Sequence, residues 1–211
     1  MSKPPNVNDA YALTDSDGLR ALYENWAPVY DTGFGAAMGY RLPAEVAQAF
    51  VTAGGTGPVL DIGAGTGLVA ERLVALGVGP LDALDLSPAM LAVARDKGLY
   101  RDLYAVDLTQ PGAGRPRDRY AGIVSAGTFT LGHLGPEALA PVLSLLAPGG
   151  CAVLSVNLAH YEAAGFDAAL SALRGGLARC QTRDVRIYDD RADSDHADDL
   201  ARLLILHSPP A

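Results

Sequence analysis

An α/β fold with a mostly parallel sheet is predicted by three observations in this 211-residue sequence. Short apolar runs end in acids at Asp61, Asp85 and Asp107, as buried parallel strands do when their carboxyl ends face a crevice. Helical stretches separate these runs, and parallel strands need such crossovers. The first run leads at once into Gly63-Ala64-Gly65-Thr66-Gly67 and then into a helix. Glycines let the backbone turn sharply and approach a ligand closely, and the helix start points free amides at it. The pattern is Rossmann-like and marks a nucleotide-type site.

The elements follow in order. A polar tail precedes a helix over 16–26, with Ser16 as its N-cap and Pro28 as its stop, because the residue before proline is pushed out of the α region. A second amphipathic helix covers 42–51, and the glycines at 54, 55 and 57 precede strand 1. Helix 68–76 follows the glycine turn. A second strand over 80–86 is followed by helix 87–98, where Ser87-Pro88 supplies a cap and an N1 proline and Gly98 the stop. A third strand covers 100–106, a Gly/Pro-rich surface loop 111–119, a fourth strand 120–126 and a helix 136–146. The Pro148-Gly149-Gly150 turn opens a fifth strand over 151–157, helix 161–173 follows, and strands 179–188 and 200–207 close the chain. A loop rather than a helix joins these last two, so they pair antiparallel. The expected result is a seven-stranded, mostly parallel sheet with one antiparallel strand and helices on both faces.

Length gives the expectation of one domain over 1–211, with 1–35 as tail and lid. Formal net charge is -8, which disfavours nucleic acid, anionic membrane and polyanionic substrates. The N-terminus lacks the apolar core of a signal peptide, so the expected location is the cytoplasm. Residues 138–161 carry no charged side chain, but Pro141 and the Pro148-Gly149-Gly150 turn interrupt them, and helix, turn and strand are expected rather than a membrane span. Cys151 and Cys180 fall in expected strands and read as two buried thiols of a reducing compartment.

Two details decide against a dinucleotide. The glycine spacing is Gly-x-Gly-x-Gly, whereas the dinucleotide fingerprint keeps two residues between its second and third glycines. Asp61 also sits where a pyrophosphate would lie, and two like charges about 4 Å apart repel by about 4 kcal/mol at an effective dielectric near 20. A carboxylate there suits a cationic ligand. S-adenosyl-L-methionine fits, with an ammonium, a sulfonium and no phosphate. Asp85 stands about twenty residues beyond Gly63, where this fold places a carboxylate on ribose hydroxyls.

Residues 58–67 resemble motif I of the class I S-adenosylmethionine-dependent methyltransferases, and the tandem glycine turn before strand 5 resembles a second signature of that family. Leu84-Asp85-Leu86-Ser87-Pro88-Ala89-Met90-Leu91, Lys97-Gly98-Leu99-Tyr100, Leu108-Thr109 and Gly132-His133 are similar to the Williams-Beuren-syndrome-region methyltransferase-like proteins and their bacterial relatives, roughly over residues 20–157. The resemblance implies that Asp107 accepts from the adenine amine while Leu86, Met90 and Leu108 cover the ring. It implies that Ser125, Ala126 and the residues up to His133 face the methyl and the acceptor. Tyr23-Glu24-Asn25-Trp26-Ala27-Pro28-Val29-Tyr30-Asp31 resembles the N-terminal segment that folds over the cofactor in many small methyltransferases, which puts Tyr23, Trp26 and Tyr30 at the cofactor and Tyr30 or Asp31 at its methionine end. The turn residues Gly63, Ala64, Gly65, Thr66 and Gly67 complete the expected cofactor site.

Strand 4 carries no Asn/Asp-Pro-Pro-Tyr run for base amines, no Pro-Cys nucleophile, no acidic pair for arginine and no strand-end acid of the magnesium-holding type. The expected acceptor is therefore a small molecule. The sulfonium methyl is already activated, so the protein mainly aligns the acceptor in line and excludes water. An acceptor that must lose a proton needs a base, and His133 is the candidate, with His160 as its rival. The acidic stretch 189–199 matches neither a calcium loop nor a zinc motif and reads as a solvated loop, so no metal is expected. The alternative functions are a protein that binds S-adenosylmethionine or S-adenosylhomocysteine without catalysis and an NAD-dependent oxidoreductase of the same fold.

Overall fold

The computed structural model describes residues 9–10, 13, 15–110, 114, 116, 119–192 and 195–211. The expected tail over 1–8 and much of the expected loop over 111–119 lie outside the described residues, as do positions 193 and 194 of the acidic stretch.

The strands are β1 (Val59–Ile62), β2 (Leu81–Asp85), β3 (Leu103–Ala105), β4 (Tyr120–Phe129), β5 (Leu146–Asn157), β6 (Arg179–Arg186) and β7 (Leu200–His207). They form one seven-stranded sheet in the order β3-β2-β1-β4-β5-β7-β6. β7 runs antiparallel to both of its neighbours, β5 and β6, and the remaining pairings are parallel. The single reversed strand expected from the sequence is thus β7, inserted between β5 and β6. Among the described residues no helix is long and apolar enough to cross a membrane.

Alternation along the strands builds two cores. Leu60 and Ile62, Ala152, Leu154 and Val156, and Leu204 and Leu206 face one layer. Val59, Cys151, Val153 and Leu203 face the other, against Val46 and Phe50 of one helix and Val69 and Leu73 of another. Those helices are α2 (Leu42–Thr52) and α3 (Leu68–Ala75). The first layer holds α5 (Leu139–Leu143), α6 (Leu158–Ala164) and α7 (Phe166–Leu173).

Several boundaries differ from the sequence expectation, each for a local reason. The N-cap of α1 (Ser16–Trp26) is Asp15, whose carboxylate accepts from Gly18 N at 2.7 Å, and Ser16 is the first helical residue. Pro28 does not stop the chain turning. It sits in the first turn of a 3₁₀ segment (Ala27–Val29), where a missing N–H costs nothing, and a π-helical turn (Tyr30–Gly35) follows. The single helix expected over 161–173 is two, broken by Gly165 at φ 81°. The helix expected over 136–146 is a 3₁₀ turn (Pro136–Ala138) followed by the short α5. β4 runs past residue 126 to Phe129, with its register against β5 shifting between Ser125 and Phe129. That irregularity lies at the site. Cys151 is buried as expected, whereas Cys180 on the outer strand β6 is only half-buried, and both are free thiols.

Candidate functional site

The carboxyl ends of β1, β2 and β4 open onto a cavity of about 780 Å³, within the range of small-molecule sites. Its floor is the glycine turn. Gly63, Gly65 and Gly67 have φ of 65°, 54° and 92°, a region that side-chain-bearing residues rarely adopt. The amides of Gly63 and Ala64 donate to Leu84 O at 2.7 and 3.1 Å, which pins the turn to β2. A side chain on Gly63 would collide with Thr128 of β4, whereas a Cβ on Gly65 would meet nothing within 4 Å. Gly65 therefore presents bare backbone to the cavity.

Asp85 closes β2. Its Oδ2 accepts from Gly65 N at 2.7 Å and its Oδ1 from Ser87 N at 2.8 Å. Burial raises its carboxyl above the ordinary range against the pull of these hydrogen bonds. Each carboxylate oxygen keeps a lone pair, so two vicinal hydroxyls still find acceptors there. Ser87 caps α4 (Pro88–Asp96) through Met90 N at 3.2 Å, which carries the Met90 side chain to the cavity wall. Leu86 and Leu108 line the same wall beside Asp107. Asp107 accepts from the Thr109 amide at 2.8 Å and hydroxyl at 2.6 Å. Partial burial pulls its carboxyl upward, but the bonds from Thr109 and Ser16 outweigh it, so the group lies below the ordinary value and is a carboxylate at neutral pH.

The roof comes from α1, through Ser16, Leu19, Arg20 and Tyr23, and from Tyr30 beyond it. Ala126, Gly127 and Thr128 of β4 and then His133 form the far end. His133 Nδ1 lies 3.0 Å from Leu131 O, an atom that only accepts, so Nδ1 carries the proton. Burial holds the imidazole below its ordinary value, so it is neutral at physiological pH and its Nε2 accepts from the Tyr23 hydroxyl at 2.7 Å. His160, the rival base, points its Nε2 at Leu134 O at 3.1 Å and packs its ring on Phe166, which is a structural arrangement.

Six of the expected site residues stand behind the cavity wall and support it, and Trp26 lines a separate chamber. Ala64 is in a core cluster with Ala83 and Leu91. Gly67 is the N-cap of α3. Ser125 is buried with its hydroxyl on Ile62 O at 2.8 Å. Thr66 donates to Asp31 at 2.5 Å, and Asp31 also pairs with Lys97 at 2.6 Å. Asp31 thereby ties the N-terminal segment to the glycine turn rather than facing the cavity. Asp61 is 1% exposed, and burial raises its carboxyl to about 7 although the Tyr100 hydroxyl donates to its Oδ2 at 2.6 Å. Its other oxygen has no hydrogen-bond partner among the described residues.

The geometry also gives specific roles to residues that the sequence reading left without one. Thr128 buttresses Gly63, Arg20 lines the roof, and Lys97 bridges Asp31 and Glu71. Only the helical register of α1 hinted at Arg20, three positions before Tyr23. No group of three or more His, Cys, Asp or Glu able to hold a metal occurs among the described residues. Asp189, Asp190 and Asp199 of the acidic stretch pair instead with Arg191, Arg186 and His196.

A methyltransferase-domain family pattern matches residues 59–150, from the start of β1 to Gly150 within β5. Human methyltransferase-like protein 27 is 34% identical over 167 residues, covering 74% of this chain and 67% of that protein. The chain belongs to the class I S-adenosylmethionine-dependent methyltransferases. It is an enzyme family whose cofactor is S-adenosyl-L-methionine, and the bare glycine backbone, the Asp85 acceptors and the ionised Asp107 of this cavity fit an adenosine with a cationic tail. Solved structures of similar fold include the magnesium protoporphyrin IX methyltransferase of Synechocystis PCC 6803 with bound S-adenosylmethionine, with a TM-score of 0.62 and 19% identity over 97% of this chain and 100% of that one. Another is the N-methyltransferase NodS of Bradyrhizobium japonicum WM9 with S-adenosylhomocysteine, with a TM-score of 0.61 and 17% identity over 88% of this chain and 92% of that one. As a methyltransferase of this class, the chain has the glycine turn and the acid closing β2 at the positions read from its sequence, whereas Pro148-Gly149-Gly150, expected as a turn ahead of a strand starting at 151, lies within β5, where the register against β4 shifts between Tyr120 and Gly122.

Proposed function

We propose that this chain transfers a methyl group from S-adenosylmethionine to a small-molecule acceptor, as a single domain whose first 35 residues include a lid over the cofactor. The observation that carries the reading is the continuous cavity from Asp107 past Asp85 and Gly65 to His133. Its apolar wall at Leu86, Met90 and Leu108 suits a purine. Asp85 suits the ribose, and the glycine turn suits the methionyl chain.

The bound cofactor supplies a methyl already activated by its sulfonium. The chain's own residues align an acceptor behind that methyl, exclude water and take up a proton. His133 is placed for the last role, neutral and with its Nε2 hydrogen-bonded to Tyr23, so a proton lost by an acceptor at the Tyr23 oxygen passes to Nε2 while the phenol hydrogen moves ahead of it. Asp61 does not line the cavity. It supports the turn through Tyr100 and adds negative potential beneath the site when ionised.

A compact acceptor is favoured because α1 roofs the cavity and the chain carries a net charge of -8, which repels polyanions. The segment from Tyr23 to Asp31 is read as a lid that opens to admit ligand, anchored at its far end by the Asp31 contacts to Thr66 and Lys97. Calorimetry separates the reading from its oxidoreductase alternative. S-adenosylhomocysteine should bind at one site and NAD should give no heat, and the reverse result overturns it.

A further inference from the structure

A second, smaller chamber adjoins the cofactor cavity and has walls of aromatic rings. Trp26, Phe34, Tyr40 and Tyr188 line it alone, and Tyr23 and Tyr30 line both spaces. The rings form one cluster, with Trp26 5.1 Å from Tyr30 and 5.2 Å from Phe34, and Phe34 5.3 Å from Tyr40 and 6.0 Å from Tyr188. Gly127 and His133 also belong to both spaces, so the chamber meets the cofactor cavity at the His133 end. Gly127 keeps that junction open. It has φ 80°, and a side chain on it would run into the Tyr40 hydroxyl.

Two features show what the chamber is built to hold. Among the described residues lining it there is no lysine, arginine, aspartate or glutamate. It does contain Thr130, which is 6% exposed and whose Oγ1 finds no hydrogen-bond partner among the described residues. An unpaired buried hydroxyl is costly unless a ligand uses it. Ring faces carry negative potential, so they attract a cation and repel a carboxylate or an oxyanion.

On the basis of the methyltransferase reading above, we infer that this chamber is the acceptor site and that it takes the nitrogen of a small aliphatic or benzylic amine. Its volume is only about 50 Å³, so with the roof closed it admits the amino head and one or two carbons. In the reaction the acceptor ammonium first loses a proton through Tyr23 to His133 Nε2. The amine lone pair then forms the new N–C bond as the S–C bond breaks, with the bonding pair leaving on sulfur. Positive charge thus moves from sulfur to nitrogen, and an aromatic lining without lysine or arginine favours that shift. A hydroxyl acceptor that loses its proton to the same relay ends as an uncharged ether and gains nothing from the aromatic lining, and an oxyanion meets the opposite potential.

Trp26 is the single tryptophan of the chain and lines the chamber, so its fluorescence reports binding without turnover. The experiment loads the protein with S-adenosylhomocysteine and titrates it with methylamine, dimethylamine and benzylamine, and with methanol, benzyl alcohol and benzoate as matched controls. Turnover with S-adenosylmethionine is then measured on the same panel. The amines should shift the emission saturably, at least about tenfold more tightly than the controls, and should accept methyl. Thr130→Val should weaken amine binding about tenfold, with S-adenosylhomocysteine affinity and fold retained. Tyr188→Leu serves as a second probe of the ring wall and should weaken amine binding in the same direction. The inference is overturned if alcohols or benzoate bind or react as well as the amines, if no amine binds the loaded protein, or if Thr130→Val leaves amine affinity unchanged. Failure of S-adenosylhomocysteine itself to bind would instead remove the methyltransferase reading beneath it.

Discussion

The backbone amide of Gly65 donates to Oδ2 of Asp85 across 2.7 Å, joining the glycine turn to the end of the neighbouring strand twenty residues on. One carboxylate thereby shapes the turn and offers its remaining lone pairs to the ligand. Asp85→Ala should weaken S-adenosylhomocysteine binding by about 1.5 to 3 kcal/mol, the range for hydrogen bonds to a charged partner. It should also lower the melting temperature, because two backbone amides lose their acceptor. Affinity unchanged by isothermal calorimetry would remove Asp85 from the ribose.

Two glycines of one turn should respond differently to the same substitution. Gly65→Ala meets no atom within 4 Å and carries only the cost of its positive φ, about 1 kcal/mol, yet its methyl projects into the cofactor's space. It should fold and fail to bind. Gly63→Ala bears the same backbone cost and also displaces Thr128, so it should lose clearly more stability in chemical denaturation. Equal stability of the two variants would contradict this packing of β4 against the turn.

Asp61 gives a pH signature of stability. Its folded value, raised to about 7 by burial, lies above that of an unfolded aspartate. The native state therefore holds more protons than the unfolded state between roughly pH 4 and 7, and Asp61's contribution to stability is lost as pH rises through that window. Asp61→Asn should flatten this loss, so the variant's stability relative to wild type should increase from pH 5 to pH 8 in urea titrations. A parallel pair of curves would place the ionised carboxylate in a better-solvated setting than the structure shows.

His133 gives a kinetic one. Burial lowers its proton affinity below the ordinary histidine value near 6.5, so the base form predominates at neutral pH and the acid limb of the rate profile lies below about 6.5. Substituting His133→Gln should cut kcat by about 10² or more, with a small effect on cofactor affinity, and should erase that limb. An intact limb in the variant would mean that another group takes the proton.

Much of this was legible in the sequence because it is local. The glycine turn, the acids at the ends of β1 and β2 and the Ser87-Pro88 cap each declare themselves within a few residues, and the reversed strand followed from a connection without a helix. The misjudged parts depend on contacts between distant segments. Asp61 looked like a ligand-facing acid, but Tyr100, 39 residues later, covers it. Asp31 was a candidate for the methionine end of the cofactor, but Lys97 and Thr66 engage it instead. His133 stood out only as a lone histidine in a loop, and its proton state was fixed by Tyr23, 110 residues earlier, and by the Leu131 carbonyl. The α-helix α1 ends at Trp26 as expected, but the continued turning of the chain through Pro28 was missed for a different reason. Proline forbids an interior hydrogen bond, yet a first-turn position in a tighter helix satisfies it.

The central claim is that S-adenosylmethionine lies along the carboxyl ends of β1, β2 and β4 beneath α1. A crystal structure with S-adenosylhomocysteine tests it most directly. The account predicts ribose hydroxyls on Asp85, the adenine amine at Asp107 between Leu86 and Leu108, and the sulfur end beside Gly127 and His133. Density for the ligand elsewhere, or with its ribose away from Asp85, would contradict it.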